Sequence, residues 1–466
     1  IVTGAAALSS GPMLDIPQDP PCPTALPVAD MEDPSMRARD LMTTNLVTIP
    51  PDAPLEALAR VLSERGISGA PVVDADGALL GMVTESDLIR RLAAKEDAPK
   101  SWVLGLLASA AQQAARFART HGHRARDVMT TDTVGAIASM TKAITGAAVM
   151  QLVEQGRLDL DAPAETYCAE LATPQVLEGF DDAGQPILRD ARSQVTLRNL
   201  LTHTSGYAYD FTDPNLDKWF GVTDAPRMST GRLGALNTPL MFDPGTKWFY
   251  GIGIDWAGII LERVTKSKLG DYFSEHLFEP LGMMDTGFTC TPNMLERKAA
   301  MHLRTPDSSF MSFQMPRAET SEFDSGGGGL FSTMSDYTRF MRMILNDGDL
   351  DGTRVLGAET VAQMATNQMG DIRVTGLKSA NPAFFSDADF YPGIPKSWGL
   401  SFLINEEPLP NGCPAGALTW AGAFNSYFWI DKTTGIAGCY LSQVLPFFDV
   451  GASGNFFDFQ NAVYAP

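Results

Sequence analysis

Apolar and polar positions divide this chain into stretches of different period. Pro54 to Arg65 carries a helical pattern, and Ala70 to Asp74 and Leu79 to Val83 read as strands on either side of a turn at Asp76-Gly77. Ser86 to Leu92 returns to a helical pattern. Residues 15–34 are rich in Pro and Asp without an apolar period and read as a flexible leader. RARDLMTTNLVTI at 37–49 recurs as RARDVMTTDTVGA at 124–136, the one clear internal repeat. From about Thr133 the character changes. A helical period runs from Ile144 to Val153 and stops at Gly156, and helices and loops dominate to about residue 390. Then LTWAGAFNSYFWID and IAGCYLSQV, joined by Lys432 to Gly435, read as the two arms of one antiparallel hairpin, and a last helical pattern spans Phe456 to Tyr464. Helices followed by a strand pair and a terminal helix predict an α+β fold with an antiparallel sheet.

Composition narrows the function classes. With 466 residues, at least two domains are expected, and 44% apolar residues are enough for an ordinary core. The net charge of −20 is uneven: 12 basic and 16 acidic groups precede residue 132, and 23 and 39 follow. So negative a surface repels phosphate backbones, so neither nucleic acid nor an anionic membrane is an expected partner. The five cysteines (Cys22, Cys168, Cys290, Cys413, Cys439) have no C-x-x-C pair and are expected as free thiols rather than a disulfide framework or a zinc site. No apolar run reaches the roughly 18 residues of a membrane span, the best being Trp102 to Ala111. Residues 1–14 lack a basic n-region, which favours the cytoplasm. Oligomeric state is left open.

The first functional motif lies behind the Leu79 to Val83 strand. Gly81, Val83, Thr84 and Asp87 stand as G-x-V-T-x-x-D, and over 37–93 this segment resembles a CBS domain. That resemblance implies an adenosine nucleotide, with Thr84 at phosphate and Asp87 at ribose hydroxyls. A hydroxyl and a helix N-terminus meet phosphate, and a carboxylate accepts from hydroxyls. The competing reading makes both residues helix caps. The second copy of the repeat breaks off after about a dozen residues, whereas CBS modules work in pairs.

The second motif is Ser139-Met140-Thr141-Lys142. At i and i+3 on a helix turn, the lysine amine can approach the serine oxygen. A serine hydroxyl becomes a strong nucleophile only when a base takes its proton. Taken alone, S-x-x-K is a weak signal, compatible with an N-cap serine and a surface lysine. Two ordered partners strengthen it: Tyr250, delivered by PGTKWFYG, and Trp420-Ala421-Gly422 in LTWAGAF. The order Ser139-x-x-Lys142, Tyr250, Trp420-Ala421-Gly422 resembles the serine β-lactamase and penicillin-recognising superfamily, most closely the class C β-lactamases and family VIII carboxylesterases. LRNLLTHTSGY, FEPLGMMDTGF and GGGGLFSTMSDYTRFM agree, and the resemblance covers about residues 130–466.

The resemblance implies roles. Ser139 is the acyl-forming nucleophile, Lys142 the amine beside it, and Tyr250 the carrier of the proton between serine, leaving group and water. Which of lysine and tyrosine is the acylation base stays open. The N–H groups of Ser139 and Ala423 form the oxyanion hole, each such donor supplying about 3 kcal/mol at the transition state. Trp420, Gly422 and Ile252 line the substrate cleft. Trp-Ala-Gly stands where the lactamases have Lys-Thr-Gly, and Tyr250-Gly251-Ile252 replaces Tyr-x-Asn. The cleft therefore lacks a lactam-binding cation and an amide, which favours an uncharged short-chain ester, with weak β-lactam hydrolysis as a side activity. No cofactor or metal is expected for this chemistry. The rival reading is a nucleotide-responsive CBS-type regulatory protein joined to an inactive hydrolase-like body.

Duller readings compete at single positions. Tyr250 is also compatible with a core aromatic and Trp420 with sheet packing. Gly326 to Gly329 lacks a following G-K-[ST] and reads as a tight backbone passage beside the cleft. His203 in LTHTSG reads as a structural hydrogen-bonding residue. No G-x-S-x-G is present. The expected organisation is thus a leader (1–36), a CBS-like α/β module (37–131) and a β-lactamase-like domain (132–466). That last domain combines a helix-flanked antiparallel sheet with a helical subdomain. The CBS-like segment takes the place where the family supplies a helix and two sheet strands, so the sheet is expected to lack them.

Overall fold

The computed structural model describes residues 49–54, 57–61, 69–73, 79–84 and 132–464, apart from 306–308 and 315–319. The leader, the turn at 76–77, the helical pattern from Ser86 and the position of Asp87 lie outside these residues. In the N-terminal portion, β1 (Gly69–Val73) and β2 (Leu79–Thr84) pair antiparallel, with Gly69 opposite Thr84. Ile49 bridges Val72 in parallel. Ile49, Leu58, Ala70, Val72 and Val83 form a small apolar cluster, so the strand pattern read from the sequence corresponds to a core of its own.

The larger portion is built around α1 (Thr141–Glu154), buried from Thr141 to Leu152. A helix apolar on every face belongs in an interior. Its end follows from Gly156, which takes φ 70°. The Gly156 N–H donates to Val153 O and the Arg157 N–H to Leu152 O, so a left-handed glycine closes the helix. Against α1 packs α2 (Gly253–Thr265), buried from Gly253 to Leu261, while α3 (Met334–Leu345) lies against the last strands of the main sheet.

Five antiparallel strands form the main sheet in sequential order: β3 (Lys396–Trp398), β4 (Leu403–Asn405), β5 (Leu418–Gly422), β6 (Ser426–Asp431) and β7 (Ile436–Tyr440). All of β6 is buried. Its alternation explains why: Phe428 faces α3 through Tyr337, with ring centroids 5.3 Å apart. Tyr427 stacks on Phe456 of α4 (Val450–Tyr464) at 4.5 Å. Trp429 lies opposite Gly438, where a Cβ would come within 2.0 Å of the indole. The α+β expectation and the terminal helix hold, the helix beginning six residues earlier than its apolar period. Two local readings are corrected. LTWAGAFNSYFWID is not one arm but two strands, because Asn425, at φ 58°, turns the chain back after Gly422. The mid-chain region also contains a hairpin, Gln175–Phe180 with Pro186–Asp190, closed around Gly184 at φ 78°.

Among the described residues every strand of the main sheet comes from 396–440, and no strand pairs with the outer edge of β7. No described helix is long and apolar enough to cross a membrane. Among the described residues, Cys168, Cys413 and Cys439 are free thiols.

Candidate active site

Ser139 lies in a single 3-10 turn, Ala138–Met140, that feeds directly into α1. Ala138 has φ 42°, a left-handed conformation costing an L residue about 1–2 kcal/mol. The surroundings impose it. Gln443 accepts from the Ala136 N–H and donates to its carbonyl, both at 2.9 Å. The Ile137 N–H donates to Leu330 O at 3.0 Å, and Tyr337 donates from its hydroxyl to Met140 O at 3.0 Å. Gly422 lets β5 approach, since a Cβ there would stand 2.2 Å from Ile137 O. Ser139 itself stays half-buried at the end of this clamp.

Lys142 is fully buried, and its Nζ meets three oxygens: Ser139 Oγ at 3.1 Å, Tyr209 Oη at 3.1 Å and the Gly327 carbonyl at 2.5 Å. The i, i+3 spacing does bring amine to hydroxyl, and the surface-lysine alternative is excluded. A single buried carboxylate organises the two other contacts. Asp255, in the first turn of α2, accepts from Ser325 Oγ at 2.6 Å, from the Gly327 N–H at 2.9 Å and from the Tyr209 hydroxyl at 3.5 Å. Gly327 has to be glycine, because a Cβ would fall 2.2 Å from Asp255 Oδ2. The four-glycine run is thus a tight passage that aims a carbonyl at the amine. Burial, and next the Asp255 charge, push the Tyr209 phenol well above its ordinary pKa, so Tyr209 stays protonated. The site therefore holds a second tyrosine and an acid that motif order did not single out. Asp255 had one signal, a lone acid in the apolar run GIDWAGIIL; Tyr209 had none.

The opposite wall is aromatic. Tyr250 is buried, with its ring centroid 4.8 Å from Lys142 Nζ, and its hydroxyl accepts from Trp420 Nε1 at 3.4 Å. Trp420 in turn meets Phe390 at 5.3 Å, nearly parallel, and Trp398 at 4.6 Å, edge-on. Trp420 thus packs in the sheet and touches Tyr250 at once. Phe211 stacks on Tyr209 at 4.8 Å and meets Phe385 at 5.1 Å, extending the apolar lining. Ala423 follows the end of β5 in the turn next to the Ser139 segment and is half-buried. Ile252 is buried in the main core at the start of α2, two residues past Tyr250. Thr84 ends β2, far along the chain from this cluster.

Known proteins resemble both portions of the chain. The CBS domain profile matches residues 38–94, and the Beta-lactamase profile matches residues 100–460. Lovastatin esterase of Penicillium rubens is 33% identical, over 68% of this chain and 81% of its own. Monacolin J acid methylbutanoyltransferase of Aspergillus terreus is 32% identical, over 72% of this chain and 82% of its own. The structure of a simvastatin synthase (LovD) mutant from Aspergillus terreus superposes with a TM-score of 0.62 at 33% identity, covering 72% of this chain and 83% of that one. With the Ser139–Lys142 pair and this fold, the chain belongs to the Beta-lactamase family.

Proposed function

We propose that the chain is a serine hydrolase that cleaves short-chain carboxylic esters through an acyl-enzyme on Ser139. The observation that carries this reading is the buried Lys142, whose Nζ faces Ser139 Oγ while Tyr209 and the Gly327 carbonyl occupy its other directions. The Gly327 carbonyl and Tyr209 Oη hold the amine within hydrogen-bond reach of the serine hydroxyl, where it can take part in proton transfer. Ser139 Oγ then attacks the ester carbonyl carbon as its proton leaves toward Lys142 and Tyr250. The tetrahedral oxyanion is held by the N–H groups of Ser139 and Ala423. Collapse breaks the bond to the alcohol oxygen, which takes the proton back by way of Tyr250, and the alcohol leaves. Water repeats the sequence on the acyl-enzyme, releasing the acid and restoring Ser139.

The aromatic lining from Phe211 to Phe390 and Trp420, with no described cation at Trp420-Ala421-Gly422, supports an uncharged apolar acyl group over an anionic lactam. The relatives named an esterase and a methylbutanoyltransferase support a second outcome for the same acyl-enzyme, transfer to an alcohol in place of water. At the N-terminal segment, the CBS match supports adenosine-nucleotide binding by Thr84 and Asp87. Thermal stabilisation of the full chain by AMP or ATP, absent in Asp87→Ala, is the expected result there. The test of the main reading is hydrolysis of p-nitrophenyl butyrate beside Ser139→Ala. Turnover that falls to background in the variant supports it, and equal background rates in both proteins refute it.

A further inference from the structure

We propose that His203 is a positioning residue that sets the orientation of Tyr250 by holding the backbone on both of its sides; this rests on the reading of Tyr250 as a proton carrier. The Phe249 N–H donates to the His203 carbonyl at 2.9 Å, and the Gly251 N–H donates to His203 Nδ1 at 3.4 Å. One residue therefore takes the two amides that flank Tyr250. It does so because its backbone is left-handed, at φ 58°, a conformation uncommon outside glycine that Asn, Asp and His enter more readily than other residues. The outlier gains meaning from its place beside a reactive group. The imidazole is buried, with its centroid 4.8 Å from the Tyr250 ring and 4.9 Å from Trp398. On the far side of the segment, a Cβ on Gly251 would lie 2.1 Å from Tyr207 O, so residues 249–251 are held between two fixed walls.

The bond to Gly251 fixes the tautomer: Nδ1 accepts, so the ring proton sits on Nε2, which has no hydrogen-bond partner in this structure. A charged ring would set N–H against N–H. Burial, and next the Lys142 charge, hold the imidazole pKa well below its ordinary value and keep the acceptor available.

Two variants separate positioning from packing. His203→Asn keeps an acceptor on the γ-carbon, where Nδ1 stands, and tolerates the left-handed backbone. His203→Gln moves its acceptor outward to the place of Nε2. With p-nitrophenyl butyrate and a fluorophosphonate titration of competent Ser139, Asn is expected to keep kcat per titrated site within about threefold of wild type. Gln is expected to lose about 10- to 100-fold in kcat at nearly constant KM. In a Tyr250→Phe background the Gln change is expected to cost no further kcat, because its effect passes through that hydroxyl. Equal per-site losses for Asn and Gln, losses that vanish on normalising to titrated sites, or a full Gln effect without the Tyr250 hydroxyl each overturn the proposal. A wild-type protein without Ser139-dependent turnover overturns the esterase reading and this inference with it. An active wild type beside equal variants overturns the inference alone.

Discussion

The two walls around Ser139 are held by different forces. On the Lys142 side, one amine, one acid, one phenol and one glycine backbone from residues 142, 209, 255 and 327 are joined by short polar contacts in a buried space. On the Tyr250 side, Trp420, Phe390 and Trp398 pack face and edge, and a 3.4 Å contact from the indole is the polar link to Tyr250. The polar wall is intolerant by construction, since each member satisfies another and an unpaired buried charge is expensive. The aromatic wall can change shape without leaving such a charge. The comparison assigns proton handling to the first wall together with Tyr250, and substrate choice to the aromatic residues packed behind Tyr250.

Substitutions can break that assignment in order of size. Lys142→Ala is expected to lower kcat for p-nitrophenyl butyrate by about 10³-fold or more, the upper part of the range for a positioned base. Asp255→Asn retains acceptor capacity for Ser325 and Gly327 but removes the charge beside Tyr209, the phenol that meets Lys142. About a tenfold loss in kcat is expected, with a thermal midpoint below that of wild type, because the amide replaces a charge-assisted bond by a neutral one. Trp420→Ala tests the other wall: kcat/KM for apolar acyl esters is expected to fall by about two- to tenfold, mostly through KM. If Trp420→Ala lowered kcat more than Asp255→Asn, the division between the walls would be wrong.

A smaller effect is expected in stability. The folded-state pKa of His203 lies below the ordinary 6.5, so the unfolded chain binds that proton first as pH falls. Its contribution is complete above about pH 6.5 and is lost below it, at up to about 1.4 kcal/mol per pH unit for one proton. Urea unfolding of wild type and His203→Asn between pH 7 and pH 5 should show the steeper decline in wild type. Parallel slopes would mean that His203 is already charged in the fold.

What could be read from the chain was local. Ser139 and Lys142 are three residues apart on one helix turn, so their contact follows from helix geometry before any tertiary structure is known. Tyr250 and Trp420 were legible through the order of motifs and the turn that delivers each. The rest of the polar wall was not, because Tyr209, Asp255 and Gly327 meet Lys142 only through packing of α1, α2 and the glycine passage. Asp255 lay in plain view as a lone acid among apolar residues, but such a position names no partner. The hairpin hidden in LTWAGAFNSYFWID failed to show because β6 is buried on both faces and its strand has no polar alternation to mark a start. Asn425 was the signal, a residue suited to the left-handed turn it occupies.

The most direct test of the central claim is intact-mass spectrometry of the protein quenched in acid during turnover of a slow acyl donor such as p-nitrophenyl pivalate, followed by peptide mapping. The account predicts an adduct of one acyl mass on the peptide carrying Ser139, absent in Ser139→Ala and strongly reduced in Lys142→Ala. Continued ester hydrolysis with the adduct on another residue, or in Ser139→Ala, would contradict it.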